Sequence, residues 1–302
     1  LAIDSGKKAH LSFFNAATAD LMYATNATGA WQVETVESLG DVGRSTSITL
    51  DQTGKTHIAY YDLTNNRLRY ATNASGVWVI STVANNGGTH TDLAIDPTGN
   101  VHISYAAGNT ISYATNTSGA WVSTFLAGFS GGNVTGTALV LDSTQNIHVM
   151  YKVDTGLLYA TNLSGIWSNT VLDVSAILQS TSAIAIDSAN RLSISYWRSP
   201  PFELRRATSA LGIWTTEIVD SPDWFGIHTS IAIDSVDAVH IAYEDANLDL
   251  KYATNRTGSW QTQFVDAVGN VGRYNSIAID TIGRVHIAYF DATNGMIKYA
   301  VK

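Results

Sequence analysis

The chain has no cysteine, so no disulfide or thiolate metal site enters the argument, and an oxidising compartment is neither required nor excluded. It has only four prolines in 302 residues. It has no apolar run of about 18 residues, which removes a membrane-spanning helix. No segment sustains the 3.6-residue apolar period of an amphipathic helix. Charge is also scarce: 14% of residues are charged, against roughly 25% in a typical soluble domain. The net charge of −8 disfavours nucleic acid and anionic membrane as partners. Thr, Ser, Asn and Gly fill the space that charge leaves, a composition expected of a secreted or cell-surface protein. A start at Leu1 fits a processed or excised chain.

What is present is a repeat. Trp31, Trp78, Trp121, Trp167, Trp214 and Trp260 are spaced 47, 43, 46, 47 and 46 apart. His10, His57, His102, His148, His240 and His286 keep the same beat, with Ser193 filling the place between His148 and His240. Each period reads as four strands. Strand A is of the type Ser230–Asp234, strand B of the type VHIAY, strand C of the type LKYATN, and strand D opens on the Trp. These strands are rich in β-branched and aromatic residues and are bounded by Gly, Asn and Asp. A period of 40–50 residues holding four strands predicts a β-propeller blade. Strand A is rich in small residues, as a crowded ring centre requires. Strand B is apolar on both faces, as in Ile58-Ala-Tyr-Tyr61, which suits a sheet packed between two others.

The expectation is an all-β, seven-bladed propeller forming a single domain, with blades at about 1–36, 47–83, 92–126, 137–172, 182–219, 230–265 and 276–302. A chain of this length buries roughly 75% of its unfolded surface, enough for a core without covalent staples. Blade seven stops after strand C. Restoring its fourth strand and the loop before Leu1 would need roughly two dozen residues. Either this blade has three strands or the remainder lies outside these residues. The open edge would then be a template for strand donation by more chain or by a partner.

Repeated residues mostly read as architecture. Equivalent His residues in different blades cannot converge to the ~2.0–2.1 Å of Zn–His bonds, so no metal and no cofactor is expected. The Asp-x-x-Gly turns lack the alternating acids of a calcium loop and fit a turn in which Asp caps its own backbone. Asn26, Asn73, Asn116, Asn162 and Asn255 each begin an Asn-x-Ser/Thr-Gly turn that doubles as a glycosylation acceptor, and Asn133 is a sixth acceptor. The repeated Trp reads as blade packing ahead of a sugar platform.

Binding is expected where the repeat breaks, on the end formed by the D–A and B–C loops. Blade five departs most: Ser193 replaces His, Arg206 replaces the strand-C Tyr, and two loops carry the extra tryptophans. Trp197, Arg198 and Phe202 lie in or beside one, and Asp223, Trp224, Phe225 and His228 in the other. They predict either a groove that stacks a sugar ring or an aliphatic side chain, or a hydrophobic plug. A second asymmetric feature is the pair Gly40-Asp-Val-Gly-Arg44 and Gly269-Asn-Val-Gly-Arg273. Arg44 and Arg273 are candidates to hold an acidic ligand jointly, or each to bond a neighbouring loop.

The units Ser-Ile-Ala-Ile-Asp280-x-x-Gly283-x-x-His286-Ile-Ala-Tyr289 resemble the propeller repeats of bacterial and archaeal surface proteins, across essentially the whole chain. The resemblance implies the fold and little about activity. It is a looser likeness to the Asp-box repeat of sialidases and to lectin propellers. There the Asp and Gly are two apart, and here they are three apart, so no sialidase active site is carried over. The function expected first is a non-catalytic extracellular module binding a glycan or a surface protein. The alternatives are a carbohydrate-active hydrolase or lyase using Asp223, His228, Arg198, Tyr274 and Arg273 on the same face, and a structural module of a surface assembly.

Overall fold

The computed structural model describes residues 1–302 except 131–132, 154–155, 177–179, 211–212 and 223–225. It is an all-β propeller of seven antiparallel blades. The blades span 2–37, 42–84, 89–128, 134–173, 183–220, 229–266 and 273–301. Six sheets have four strands in sequence order, and the seventh has three: Arg273–Ile279, Val285–Asp291 and Met296–Val301. The chain divides into two compact units, Leu1–Leu141 and Asp142–Lys302.

Each blade rests on one hydrogen-bonded device built from the repeated residues. The turn Asp accepts two backbone N–H groups on one oxygen, as Asp51 Oδ1 does from Thr53 and Lys55 at 2.8 and 2.9 Å. Its other oxygen faces the imidazole Nε2 of the strand-B His, at 3.1 Å for Asp234 and His240. The same ring's Nδ1 meets the strand-C phenol: 2.5 Å for His10–Tyr23, His102–Tyr113, His148–Tyr159 and His240–Tyr252. Both imidazole nitrogens are thus engaged inside the blade for His10, His57, His102, His240 and His286, while His148 Nε2 faces Asp142 at 3.5 Å without a hydrogen bond. Burial holds the imidazoles of His57, His102, His148 and His240 below their ordinary value. Blade five rebuilds the device with other groups: Arg191 Nε donates to Asp187 at 2.5 Å, and Arg206 donates to Ser193 Oγ at 2.8 and 3.0 Å.

The acceptor Asn residues also work within their blades. Asn73 Oδ1 takes the N–H of Thr56 at 2.8 Å, and Asn26, Asn116, Asn162 and Asn255 do the same for Ala9, Val101, Ile147 and Val239. Between blades, the strand-D Trp of one packs edge-on against the strand-C Tyr of the blade before it. The ring centres are 5.3 Å apart for Trp78–Tyr23 and Trp121–Tyr70 in the first unit, and 5.0 Å for Trp214–Tyr159 in the second. These tryptophans are packing elements.

Strand A is longer than the repeat alone suggests. In blades two and seven it begins at Val42 and Arg273, beyond a break in the ladder to strand B. The break holds Ser45 and Tyr274 at a left-handed φ of 49°. Such a bulge re-aims side chains at the rim of a sheet.

Candidate functional site

In the second unit, blades six and seven bring a carboxylate, a guanidinium and two rings together at their loop end. Glu244 ends strand B of blade six (Val239–Glu244) and is fully buried. Its N–H donates to the His228 carbonyl at 2.9 Å, which carries the ladder one step past strand A (Thr229–Ile233). That step places the His228 imidazole Nδ1 2.8 Å from Glu244 Oε2. Arg273, opening blade seven, sets its Nε 3.5 Å from Glu244 Oε1. Among the described residues neither Oε1 nor this Nε makes a hydrogen bond of good geometry. The pair is therefore an ion contact with hydrogen-bonding capacity to spare on both sides.

The bulge at Tyr274 supplies the aromatic element. Tyr274 is 71% exposed, and its ring centre lies 4.5 Å from that of His228 and 6.5 Å from that of Phe290. Asn275 behind it is buried and pins the junction of the two blades. Its Nδ2 donates to the carbonyls of Gly272 and His228 at 2.8 and 3.3 Å, and its Oδ1 accepts from Ser230 at 2.8 Å.

The loop that presents Arg273 is built twice. In the first unit Asp41 N–H donates to Thr64 Oγ1 and Val42 N–H to the Ala19 carbonyl, at 2.7 and 3.0 Å. In the second unit Asn270 and Val271 make the same bonds to Thr293 and Leu248, at 2.7 and 2.8 Å. Within these five residues only the one after the first glycine differs. Asp41 grips Arg44 with two bonds of 2.7 and 2.9 Å, and the guanidinium lies 4.5 Å from the Phe14 ring centre. Asn270 carries no charge, and its Oδ1 is buried without a partner among the described residues. Arg273 turns to Glu244 instead. An acidic ligand would thus meet each Arg already facing a carboxylate of its own unit.

Blade five is rearranged relative to the sequence expectation. Trp197 is not an exposed platform: it is fully buried, in a cluster with Leu204, Val219, Ile231 and Tyr243, the last edge-on at 6.1 Å. Strand B of this blade is packed on both faces, and the fourth residue after Ser193 points inward. Gly226 closes over it; a Cβ there would stand 3.0 Å from Trp197 and 1.6 Å from the Glu244 carbonyl oxygen. Arg198 faces Asp173 and Glu203 at 3.7 and 3.6 Å, and Phe202 is half-buried. Asp223, Trp224 and Phe225 lie outside the described residues. Of the predicted site residues, His228 and Arg273 are brought together, and Arg44 belongs to the other loop.

Sequence reasoning missed Glu244. It stands four residues after His240, where the other blades carry Phe14, Tyr61, Ala106, Lys152, Trp197 and Phe290. Two ionisable residues in a buried apolar position were the available signal.

No protein-family model and no curated protein matches the chain. Solved structures do match in fold. The Aleuria aurantia lectin in complex with Fucα1-6GlcNAc has a TM-score of 0.62 at 13% identity, covering 85% of this chain and 94% of that one. AofleA from Arthrobotrys oligospora has a TM-score of 0.59 at 14% identity, covering 85% and 82%. A protein of unknown function from Dyadobacter fermentans has a TM-score of 0.60 at 11% identity, covering 97% and 96%. At these identities the likeness shows the propeller fold alone.

Proposed function

We propose that this propeller is a non-catalytic, extracellular glycan-binding module of the surface-protein type, and that it binds at the loop end of blades six and seven. The observation that carries the proposal is the exposed Tyr274 set beside the part-exposed Arg273, which faces the buried Glu244. Sugar recognition needs an aromatic face for the apolar side of a pyranose and a few fixed polar groups for its hydroxyls. Tyr274 supplies the first and the part-exposed Arg273 guanidinium the second, with the buried Glu244 and His228 behind them, all on strand ends held by the ladder and by Asn275. Propeller lectins with fucoside ligands among the structural neighbours support the reading by analogy of fold.

A glycan array probed with the purified protein tests it, alongside Tyr274→Ala. Binding to a defined set of glycans that is lost or cut at least tenfold in the variant is expected. An array blank for the wild-type protein would refute the proposal, and binding indifferent to Tyr274→Ala would move the site elsewhere.

A further inference from the structure

The outer edge of blade seven leaves a second set of binding groups open, and it stands apart from the glycan reading. Strand C of this blade, Met296–Val301, pairs with strand B on one side, and among the described residues no strand lies on the other. The alternation of an antiparallel ladder decides which backbone groups face that side. Lys302 and Val285 exchange both their backbone bonds, so the N–H and C=O groups of Ile297, Tyr299 and Val301 point away from strand B. Side-chain burial marks the same gap. At the position of Ile297 the other blades carry Leu21, Leu68, Ile111, Leu157, Leu204 and Leu250, all with no exposure, whereas Ile297 is 41% exposed.

The other six blades define the chemistry that covers such an edge. Each sets a strand D there that opens on Trp and carries Val or Leu five residues on, as in Trp31 and Val36, Trp214 and Val219, or Trp260 and Val265. The strand-C Leu and that Val share one apolar cluster: Leu21 with Val36, Leu68 with Val83, Leu204 with Val219, and Leu250 with Val265. We infer that the edge of blade seven receives one further antiparallel strand of this chemistry, Trp-x-x-x-x-Val/Leu, from an extended partner segment. Main-chain bonds to Ile297, Tyr299 and Val301 supply affinity, and the Trp and Val/Leu supply specificity.

The register of blade six fixes the fit. There Thr254, Tyr252 and Lys251 pair with Gln261, Gln263 and Phe264. In blade seven the residues one, three and four after the incoming Trp therefore face Val301, Tyr299 and Lys298. The Trp itself falls opposite Lys302, beside Tyr252 of blade six. That placement repeats Trp78 on Tyr23 and Trp214 on Tyr159. The Tyr252 ring is met here by Lys302 Nζ, 4.8 Å from its centre, which the indole would displace. Across from Lys298 the other blades place only uncharged residues: Thr35, Thr82, Phe125, Val171, Ile218 and Phe264. The Lys298 ammonium is already bound to Asp266 and lies 3.8 Å from Asp291, so a cation directly across from it would be repelled. A second copy pairing through its own Met296–Val301 would bring no Trp to Tyr252, so a donated strand of the D type fits the edge better.

Fluorescence anisotropy of a labelled peptide of residues 257–268, which holds Trp260, Phe264 and Val265, titrated with the 302-residue protein, tests the inference. Expected is saturable one-to-one binding with a dissociation constant on the order of 10–100 µM, and a higher melting temperature with peptide in excess. Peptides carrying Trp260→Ala or Phe264→Lys should bind about tenfold more weakly or worse. On the protein, Val301→Pro removes an N–H that faces the open side while keeping the bonds to strand B, and should abolish binding. Ile297→Asp, a change at a part-exposed side chain, should do the same by a second route, and melting curves verify that both variants are folded. No binding of the unmodified peptide at about 1 mM would overturn the inference, as would binding untouched by Val301→Pro and Ile297→Asp. A dimer in sedimentation that Val301→Pro abolishes and the peptide leaves intact would assign the edge to a second copy and overturn the donated strand.

Discussion

The phenol of Tyr243, in strand B of blade six, donates to Asp220 Oδ2 at the end of blade five, 2.6 Å away, and Lys251 Nζ meets the same oxygen at 2.6 Å. The arrangement recurs. Tyr289 and Lys298 share Asp266, Tyr196 bonds Asp173, and in the first unit Tyr60 and Arg69 share Glu37. Each binds the strand-D end of one blade to the strand-B end of the next. Removing the phenol oxygen leaves the acid with its cation, so the loss is one hydrogen bond to a charged acceptor. Tyr243→Phe should cost about 1.5–3 kcal/mol, read as a lower urea midpoint. Lys251→Met should cost less, since Tyr243 still satisfies Asp220. An equal or larger loss from Lys251→Met would contradict this ranking.

Acid should weaken the fold in two stages. The imidazoles of His57, His102, His148 and His240 are pushed down by burial. The unfolded chain, with His near 6.5, therefore binds more protons than the folded one as pH falls below that value, and stability drops with it. The turn carboxylates follow. Asp142 is held down at about 2, and Asp51, Asp234 and Asp280 are also lowered, in each case because hydrogen bonds to the ionised form outweigh burial. Their stabilisation is full above the unfolded value of about 3.9 and is lost below it. Urea midpoints from about pH 6.5 to pH 3, below the window in which Lys152 titrates, should fall gently at first and steeply below about pH 4. A flat profile between about pH 6.5 and pH 4.5 would show that the His–Tyr network does not titrate as stated.

The period, the blade number and the small-residue inner strand were legible because each copy repeats the same packing problem. So were strands A, B and C of the seventh sheet, since 276–302 repeats the pattern of those three strands in the other copies. What stayed hidden was non-repetitive. Trp197 looked like a loop aromatic because it adjoins Arg198 and the two prolines, yet strand B still runs through it and turns it inward. Glu244 looked like the polar end of a strand, and only the His228 carbonyl, extending the ladder, makes it a buried partner. The roles of Arg44 and Arg273 hinge on a single Asp–Asn difference whose effect depends on loop geometry.

The glycines of that loop are fixed by close approach. Gly43 has φ of 95°, and a Cβ there would lie 2.6 Å from Leu21 Cα; Gly272 has the same φ, with 3.0 Å to Leu250 Cα. Backbone atoms cannot yield as a side-chain tip can. Gly43→Ala should destabilise the protein by about 2–4 kcal/mol, and Gly272→Ala by somewhat less. Gly54→Ala, at a φ of 78° with open space around it, should cost only about 1 kcal/mol. Thermal melts of the three variants check the order, and a Gly54→Ala loss equal to that of Gly43→Ala would remove the close-approach explanation.

Lys152 occupies in blade four the place that Glu244 holds in blade six. It is fully buried, and its ammonium donates to the carbonyl of Ser180 and, at 2.9 Å, to that residue's hydroxyl. Burial pulls it down from 10.5 to about 7. A folded-state value below the unfolded one means that the unfolded chain holds the extra proton between about pH 7 and pH 10.5, so this group makes the protein more stable as pH rises through that window. Lys152→Met keeps the aliphatic stem and drops the charge. The variant should equal or exceed the wild type in stability at pH 7. The difference between the two should shrink toward pH 10, as the wild-type amine loses its proton in the folded state while the unfolded chain still holds it. Melting temperatures of both proteins at pH 6, 7, 8.5 and 10 measure it. A difference that is constant across the series would mean that Lys152 keeps its proton in the fold.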